Sequence, residues 1–332
     1  MATPLSFVVC TERGHLERMS LLFARSVREL GGALASAPIL SYQPRPGYGI
    51  SRRTLREFER LAVDHRVLPL NTRYADYGFA NKPFAAAHAE GIADSEILVF
   101  ADSDQLITAE PSELLLDDGF DLGLRPVHIK DIGAESESDT HWGYWEALYE
   151  TFGITELRYV TSSVDRQRVL AYWNGGLICT RRSAQFFSLW LENFHRLMAS
   201  DLRPRGQLVY VEQTSLAATA VASGLPITTL PESYNYPVNF QHLMAPEHRI
   251  DRLAEMTLVH YHDIFRRPSL AHPLADVLGD DEPSRRIRAA LEETGVWPDS
   301  KLGKAGHFSR WVRFKLETEL RLALHRITKG SS

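Results

Sequence analysis

The sequence contains little cysteine and no long apolar run. Only Cys10 and Cys179 occur among the 332 residues, and each lies within an apolar segment. We therefore expect two buried free thiols rather than a disulfide, which fits a reducing compartment. Because no run of eighteen apolar residues occurs, the sequence predicts no membrane-spanning helix. The first apolar run, residues 5–10, is too short for a secretory signal and has no basic residue before it.

A strong excess of one charge is also missing. The net charge is −5 at pH 7, so nucleic acid is not an expected partner. With 44% hydrophobic and 24% charged residues, the chain is expected to bury a substantial core, in one large domain or two. The expected location is the cytoplasm, with a peripheral position at the inner membrane surface as the alternative.

Strand-like and helix-like segments alternate in the first hundred residues. Apolar and β-branched runs predict strands, while amphipathic stretches and a proline in the first turn predict helices. Strands are expected at residues 6–11, 38–42, 66–70 and 97–101, and helices at 15–30, 52–61 and 82–91. This order predicts an α/β fold with a mostly parallel central sheet and flanking helices.

Two carboxylates follow the strand predicted at residues 97–101. Asp102 and Asp104 would point to opposite sides of an extended segment, but a turn at Ser103 lets both face one ligand. Such a pair suits Mn²⁺ or Mg²⁺, which take oxygen ligands while they bridge a diphosphate. The alternative is a solvated turn or a helix cap. The order of elements favours the metal site, because ligands bind at the carboxyl ends of parallel strands.

The second half of the chain is less regular. Its pattern predicts a strand at 121–127, a polar, mobile loop at 131–141, a glycine turn and buried strand at 172–180, a helix with an aromatic core face at 183–198, and a helix starting at 212–216.

An apolar strand at residues 256–263 carries two histidines. Alternation along an extended segment would place His260 and His262 on the same side. An imidazole nitrogen is a plausible further ligand for an Mn²⁺ ion already bound by carboxylates. The alternative is that each histidine is an ordinary hydrogen-bonded residue.

Several motifs in this order resemble those of GT-A-fold glycosyltransferases. The nearest relatives are the retaining enzymes of family 8, which include glycogenin and bacterial galactosyl- and glucosyltransferases. The resemblance covers residues 5–268 and rests on Asn81-Lys82-Pro83, Asp102-Ser103-Asp104, Trp173-Asn174-Gly175-Gly176, Glu212-Gln213, Leu230-Pro231 with Tyr234-Asn235, and His260. It implies a Rossmann-like GT-A fold and metal-dependent transfer of a sugar from a nucleoside-diphosphate sugar, with a UDP-sugar favoured.

The resemblance also implies roles for single residues. Asp102 would contact the ribose and the metal, Asp104 chiefly the metal, and His260 would complete the metal site. Lys82 would lie near the sugar or the phosphates of the donor, and Ser103 would also contact the donor. Asn174, Gly175 and Gly176 would contact the donor sugar, and Glu212 and Gln213 would lie at the reacting centre. The segment from Val9 to Glu12 would hold the nucleotide base, with Val9 and Thr11 as its binding residues.

The sequence departs from the family after His260. Family members usually continue with glycine and then Lys-Pro-Trp, whereas this chain has no glycine or tryptophan there and one extra residue. Arg266 or Arg267 would take the cationic role, because guanidinium binds phosphate well. The shift leaves open whether His260 or His262 is the metal ligand.

The stereochemical course and the acceptor stay open at this point. A retaining course, favoured by the resemblance, needs no strong base, because the leaving phosphate can deprotonate the acceptor. An inverting course needs a carboxylate near the acceptor hydroxyl, and Glu212 is the candidate. The expected acceptor is a glycan, a lipid-linked group or a small molecule with a free hydroxyl.

The C-terminal region has a different character. We expect a catalytic domain at residues 1–270 and a helical extension at 271–332 with a basic amphipathic tail. Residues 304–329 contain seven Lys or Arg residues and two Glu residues around an imperfect apolar stripe. We expect this tail to dock on the catalytic domain or on a dimer partner, rather than to contact an anionic membrane.

Three other functions fit parts of the pattern. A non-catalytic carbohydrate- or nucleotide-sugar-binding protein would keep the aromatic residues and lose the metal site. A sugar-nucleotide pyrophosphorylase would need a glycine- and basic-rich loop after the first strand, and residues 11–14 match this poorly. A haloacid-dehalogenase-type phosphatase would have Thr or Val at the position of Leu106.

Overall fold

The computed structural model describes residues 4–262, 264–266 and 271–293. Its strands are β1 (Leu5–Cys10), β2 (Ile39–Gln43), β3 (Val63–Val67), β4 (Ile97–Ala101), β5 (Gln105–Ile107), β6 (Leu122–Pro126), β7 (Tyr159–Thr161), β8 (Arg168–Leu170), β9 (Trp173–Arg181), β10 (Ile227–Thr229) and β11 (Leu258–His260). Its α-helices are α1 (His15–Leu30), α2 (Arg52–Arg60), α3 (Asn81–Ile92), α4 (Trp142–Thr151), α5 (Phe186–Ala199), α6 (Val211–Ala222), α7 (Ala271–Asp276) and α8 (Glu282–Glu293).

Seven strands form the central sheet, in the order β10-β6-β9-β4-β1-β2-β3. Strand β1 pairs in parallel with β2 and β4, and β10 pairs in parallel with β6. Only β9 runs against both of its neighbours in this sheet, β4 and β6. The prediction of an α/β fold with a mostly parallel central sheet and flanking helices is therefore confirmed.

The two faces of the sheet are covered by different helices. Alternate residues of β1 point to opposite faces, so Phe7 packs with Phe23 of α1, while Val8 packs on the face that holds Trp190 of α5. Strands buried on both faces are nearly continuous in apolar residues, which explains the runs in β1 and β4. The predicted aromatic core face of α5 is confirmed, with Phe186 and Phe194 also buried.

The third strand lies three residues earlier than predicted. It runs from Val63 to Val67 rather than over residues 66–70. Strand β3 is the edge of the sheet and pairs only with β2. Edge strands tolerate charged side chains, so the polar residues between Val63 and Val67 do not interrupt it, and the apolar run that follows is loop.

The predicted glycine turn at residues 172–180 is wrong. Gly175 and Gly176 lie inside β9, and neither has a positive φ. The predicted strand at 256–263 is also too long, because β11 ends at His260 and His262 has a φ of 55°. The glycines therefore serve close packing rather than chain reversal, and the two histidines are brought together by a bend.

Helix α8 packs against α1, and α7 joins the same buried cluster. Leu274 and Ile287 share a buried cluster with Met19 and Leu22 of α1. The basic tail at 304–329 and Arg267 lie outside the described residues, so the division at residue 270 stays a prediction. No helix in the described part of the chain is both long and apolar enough to cross a membrane. Both cysteines are free thiols, as predicted, but only Cys179 is buried, whereas Cys10 is partly exposed.

Candidate functional site

The two carboxylates and His260 converge at the carboxyl end of β4. Asp102 follows the last residue of β4, and a turn closes when the Gln105 amide donates to the Asp102 carbonyl at 3.0 Å. Antiparallel pairing of β5 with β11 then places Gln105 opposite His260. Ligand atoms of Asp102, Asp104 and His260 lie within 4.8 Å of one another. The expectation that a turn at Ser103 turns both carboxylates toward one point is confirmed geometrically.

His260 and Asp104 form the central ion pair of this group. His260 Nε2 lies 3.2 Å from Asp104 Oδ1. Burial alone would raise the pKa of Asp104, but the His260 charge and hydrogen bond lower it well below its usual value. Burial alone would lower the pKa of His260, and Asp104 raises it instead. Each of the two groups therefore stabilises the charged form of the other.

Lys82 of α3 connects the carboxylates to β9. Its Nζ donates to Asp102 Oδ2 at 2.8 Å and to the Gly175 carbonyl at 3.3 Å. It also lies 3.9 Å from Glu212 Oε2. Burial would lower the pKa of Lys82, but the charges of Asp102 and Glu212 outweigh it and raise the pKa. Lys82 is thus a fixed positive charge beside the carboxylates.

The glycines of β9 allow the site to assemble. A Cβ at Gly175 would lie 2.7 Å from Glu212 Oε1, and a Cβ at Gly176 would lie 3.0 Å from His260 Cε1 and 3.2 Å from Asp102 Oδ2. Both distances at Gly176 are tighter than ordinary van der Waals contact, so a side chain there would displace the carboxylate and the imidazole. Glycine is required by proximity at both positions.

Glu212 enters the site from the first turn of α6. Its side chain is buried, and among the described residues Oε1 has no hydrogen-bond partner. Burial raises the pKa of Glu212 to about 7, although Lys82 lowers it. Its neighbour Gln213 accepts a 3.4 Å hydrogen bond from the Gly175 amide. A carboxyl group with such a pKa exchanges protons near neutral pH.

Asn235 positions two of the predicted residues. Its Oδ1 accepts from His260 Nδ1 at 3.0 Å, and its Nδ2 donates to Asn174 Oδ1 at 3.0 Å. Asn174 Oδ1 also accepts from the Gly176 amide at 2.8 Å. Asn235 has a left-handed backbone with a φ of 51°, a conformation that asparagine tolerates better than most residues.

A cavity of about 680 Å³ contains most of these groups. Val9 and Thr11 do not line it, because Val9 packs in the core and Thr11 bonds to Ser20 and Ser41. Gly175 does not line the cavity either, and its backbone bonds instead to Lys82 and Gln213. The predicted residues that line the cavity are Lys82, Asp102, Ser103, Asp104, Asn174, Gly176, Glu212, Gln213, His260, His262 and Arg266.

The base-binding prediction therefore needs a correction. Successive side chains at the end of β1 point to opposite sides. Val9 and Thr11 are therefore buried, and their neighbours Cys10 and Glu12 face the cavity instead. Glu12 accepts from Arg45 Nε at 2.8 Å and from Asn81 Nδ2 at 2.9 Å. Glu12 lies inside the segment predicted to hold the base, but the sequence reasoning named Val9 and Thr11 as its individual residues instead.

His128 is a second residue that the sequence reasoning missed. It follows β6, whose carboxyl end lies at the same edge of the sheet as that of β4. Ligand nitrogens of His128, His260 and His262 lie within 4.8 Å of one another. Burial and the neighbouring histidines hold the pKa of His128 well below its usual value and lower that of His262 to about 3. A polar residue just after a parallel strand was the available signal.

A comparison with protein families identifies the class of protein, a glycosyltransferase. The Rhodobacterales glycosyltransferase domain family matches residues 7–224, more than half of the chain. The chain belongs to this family, and the prediction of a glycosyltransferase is confirmed. No curated protein sequence matches it.

Several solved structures are similar to this chain. The bifunctional glycosyltransferase WbbM is 12% identical over 87% of this chain and 52% of its own, with a TM-score of 0.47. This chain thus spans about half of WbbM. The galactosyltransferase LgtC, solved with donor and acceptor sugar analogues, is 14% identical over 91% and 100%, with a TM-score of 0.47. Mouse xyloside xylosyltransferase 1 is 12% identical over 77% and 97%, with a TM-score of 0.45.

Proposed function

We propose that this protein transfers a sugar from a nucleoside-diphosphate sugar to a hydroxyl group, with a UDP-sugar as the favoured donor. One observation carries the proposal. Asp102, Asp104 and His260 converge in a large cavity at the carboxyl end of β4, with Lys82 beside them. Ligands of open α/β sheets bind at this edge, and the family match supports glycosyl transfer.

The residues fit a divalent cation, Mn²⁺ or Mg²⁺. Two carboxylates and one imidazole present ligand atoms within 4.8 Å, and Gly176 leaves space between Asp102 and His260 that a Cβ would occupy. A cation held there would neutralise the charge that develops on the leaving diphosphate.

The donor is expected to lie between α3, β9 and the segment after β11. Lys82 and Arg266 line the same cavity and supply positive charge for the phosphates. Asn174, fixed by Asn235, presents its amide toward the sugar. Glu12 would accept hydrogen bonds from the ribose or the base, in place of the buried Val9 and Thr11.

Glu212 and Gln213 are proposed to lie beside the reacting carbon. A retaining course is favoured by the resemblance to family 8, and there Glu212 would stabilise positive charge that develops on the sugar. Its burial against Gly175 and its proximity to Lys82 fit a positioned carboxylate better than a freely accessible base. An inverting course would use Glu212 as the general base.

The acceptor is proposed to enter past an apolar rim. Phe79 and Val209 line the cavity and are 47% and 44% exposed. Tyr210 lies beside them, and Arg205 connects this rim to Asp131 of the loop at 131–141 through a 2.8 Å ion pair. Aromatic and apolar surfaces of this kind suit the faces of sugar rings or the apolar part of an acceptor.

Release of the nucleotide from the donor tests the proposal, as a nucleoside diphosphate from UDP- and GDP-sugars and as CMP from CMP-sugars. Purified protein is incubated with UDP-, GDP- and CMP-sugars, each with Mn²⁺, with Mg²⁺ and with EDTA. We expect turnover of one nucleotide class that EDTA abolishes and that Asp104→Asn lowers about 100-fold or more. Asp94→Asn, an exposed carboxylate outside the cavity, serves as the control. Metal-dependent binding without any turnover would indicate a non-catalytic nucleotide-sugar-binding protein.

A further inference from the structure

Three histidines from two distant parts of the chain meet at one side of the cavity. His128 follows β6, His260 ends β11, and His262 lies just after the bend. Their ligand nitrogens lie within 4.8 Å of one another. Two ligands on opposite sides of one ion with bonds of 2.1 Å would be about 4.2 Å apart. The spacing is therefore that of a metal site that needs only a small closing motion.

In each ring, Nδ1 faces a hydrogen-bond partner that lies away from this point. His260 Nδ1 faces the Asn235 amide oxygen at 3.0 Å, and His262 Nδ1 faces the His260 carbonyl at 3.1 Å. His128 Nδ1 lies 3.2 Å from Ser163 Oγ. When Nδ1 donates to such a partner, the tautomer is fixed and the Nε2 lone pair is left for a metal.

His128 provides the most direct sign that a ligand is expected here. The residue is more than nine-tenths buried, and its Nε2 has no hydrogen-bond partner among the described residues. An unsatisfied buried polar atom costs free energy. The rings of His260 and His262 stack in parallel with centroids 4.1 Å apart, so a rotation of one ring would bring the Nε2 atoms of both onto one ion.

His260 belongs to both groups of candidate ligands. It pairs with Asp104 through Nε2 at 3.2 Å, and the same nitrogen is the one left free by Asn235. One nitrogen lone pair coordinates one ion, so Nε2 of His260 cannot serve two separate ions at once, and a single ion is the simplest arrangement.

We propose that this protein binds one divalent transition-metal ion through Nε2 of His128, His260 and His262 together with the Asp104 carboxylate. A coordination sphere rich in imidazole selects Mn²⁺, Fe²⁺, Co²⁺ or Zn²⁺ over Mg²⁺, which requires oxygen ligands. The role of the ion in sugar transfer rests on the proposed function, but its binding does not depend on any nucleotide.

Metal titration without nucleotide tests the inference. The full-length protein is freed of metal with EDTA, desalted and titrated with CoCl₂ and with MgCl₂. We expect one equivalent of Co²⁺ to bind with a visible absorption band, and Mg²⁺ to bind at least about 100-fold more weakly. His128→Gln and His262→Gln should each weaken Co²⁺ binding about tenfold or more. His88→Gln, whose ring contacts Tyr42 outside the cavity, is the matched control.

X-ray absorption at the cobalt edge gives a readout that needs no variant. Multiple scattering from imidazole rings counts the histidines that coordinate the ion in the wild-type protein. Two or three imidazoles support the inference, even if a variant does not fold. A single imidazole, together with unchanged Co²⁺ affinity in both variants, would overturn it.

The two proposals fail separately. Nitrogen-rich Co²⁺ binding without any sugar-nucleotide turnover would reject the proposed function and leave the metal site intact. Turnover with Mg²⁺ as the preferred ion, together with a single cobalt-bound imidazole, would keep the function and reject the three-histidine site.

Discussion

Lys82 Nζ lies 2.8 Å from Asp102 Oδ2 and joins the first turn of α3 to the end of β4. Both side chains are mostly buried, with exposed fractions of 11% and 21%. A charged hydrogen bond in such a place contributes more than one at the surface, and removal of either partner leaves the other charge without compensation. We therefore expect the pair to contribute to the free energy of unfolding as well as to the geometry of the site.

A double-mutant cycle measures this relationship. In EDTA, Lys82→Met and Asp102→Asn are each expected to lower the free energy of unfolding by about 1–3 kcal/mol. The double variant should cost less than the sum by about 0.5–3 kcal/mol, because neither charge is then left unpaired. Denaturant unfolding gives all four values.

The exposed pair of Arg66 and Asp64 on β3 is the control for this cycle. Its atoms are 2.7 Å apart, a similar distance, but its side chains are 36% and 49% exposed. Its coupling should be about 0–1 kcal/mol. Strictly additive effects of the Lys82 and Asp102 substitutions would show that the pair is not coupled.

Gly176→Ala is expected to disturb the site more than the fold. The new Cβ would press on His260 and Asp102 at 3.0 and 3.2 Å, and a displacement of reacting groups by about 1 Å lowers turnover about 100-fold. The melting temperature should change by only a few degrees, because the contacts are with side-chain ends.

Gly91→Ala serves as the comparison for Gly176→Ala. It lies in α3, and a Cβ there would have nothing within 4 Å. Alanine should stabilise that helix by about 0.5–1 kcal/mol and leave turnover unchanged. Full activity of Gly176→Ala in the nucleotide-release assay would contradict the crowded arrangement around β9.

Glu17 of α1 makes stability depend on acid. Burial would raise its pKa, but hydrogen bonds from Thr54, Gly14 and Ser51 lower it below the ordinary value of 4.5. The contribution is therefore complete above pH 4.5 and is lost as the pH falls through the folded pKa.

Unfolding at several pH values checks this dependence. Glu17→Gln should cost about 1–3 kcal/mol at pH 7, and the difference from wild type should shrink below pH 4.5. Glu59→Gln, on the exposed side of α2, should cost little at any pH. A difference that is constant from pH 7 to pH 3 would refute the assignment.

Asp139 holds the loop at 131–141. Its Oδ2 accepts from Lys130 Nζ at 2.9 Å and from the Glu135 amide at 2.7 Å. Asp139→Ala would leave the buried Lys130 without its counter-charge, at a cost of about 3 kcal/mol. Hydrogen exchange across residues 131–141 should then accelerate, whereas Ser138→Ala should leave it unchanged. Equal exchange in both variants would show that the carboxylate does not anchor the loop.

The parts of the fold that could be predicted are those with local signals. The apolar stripe at residues 15–30 predicted both ends of α1. The apolar run before Asp102 predicted β4 and the turn that follows it. The glycine pair was misread because close approach to Glu212 and His260 is a tertiary contact, with no mark in the local sequence. His128 was missed for the same reason, since its partners lie more than 130 residues away.

Metal-dependent binding of a nucleotide is the measurement that tests the central claim most directly. Thermal unfolding is followed with UDP, GDP, CMP and their sugar conjugates, in Mn²⁺ and in EDTA. Ligands that bind only the folded state raise the melting temperature. The account predicts a shift with one nucleotide class, favoured to be uridine, that is lost in EDTA and in Asp104→Ala. No shift with any nucleotide, or a shift that neither EDTA nor Asp104→Ala changes, would contradict it.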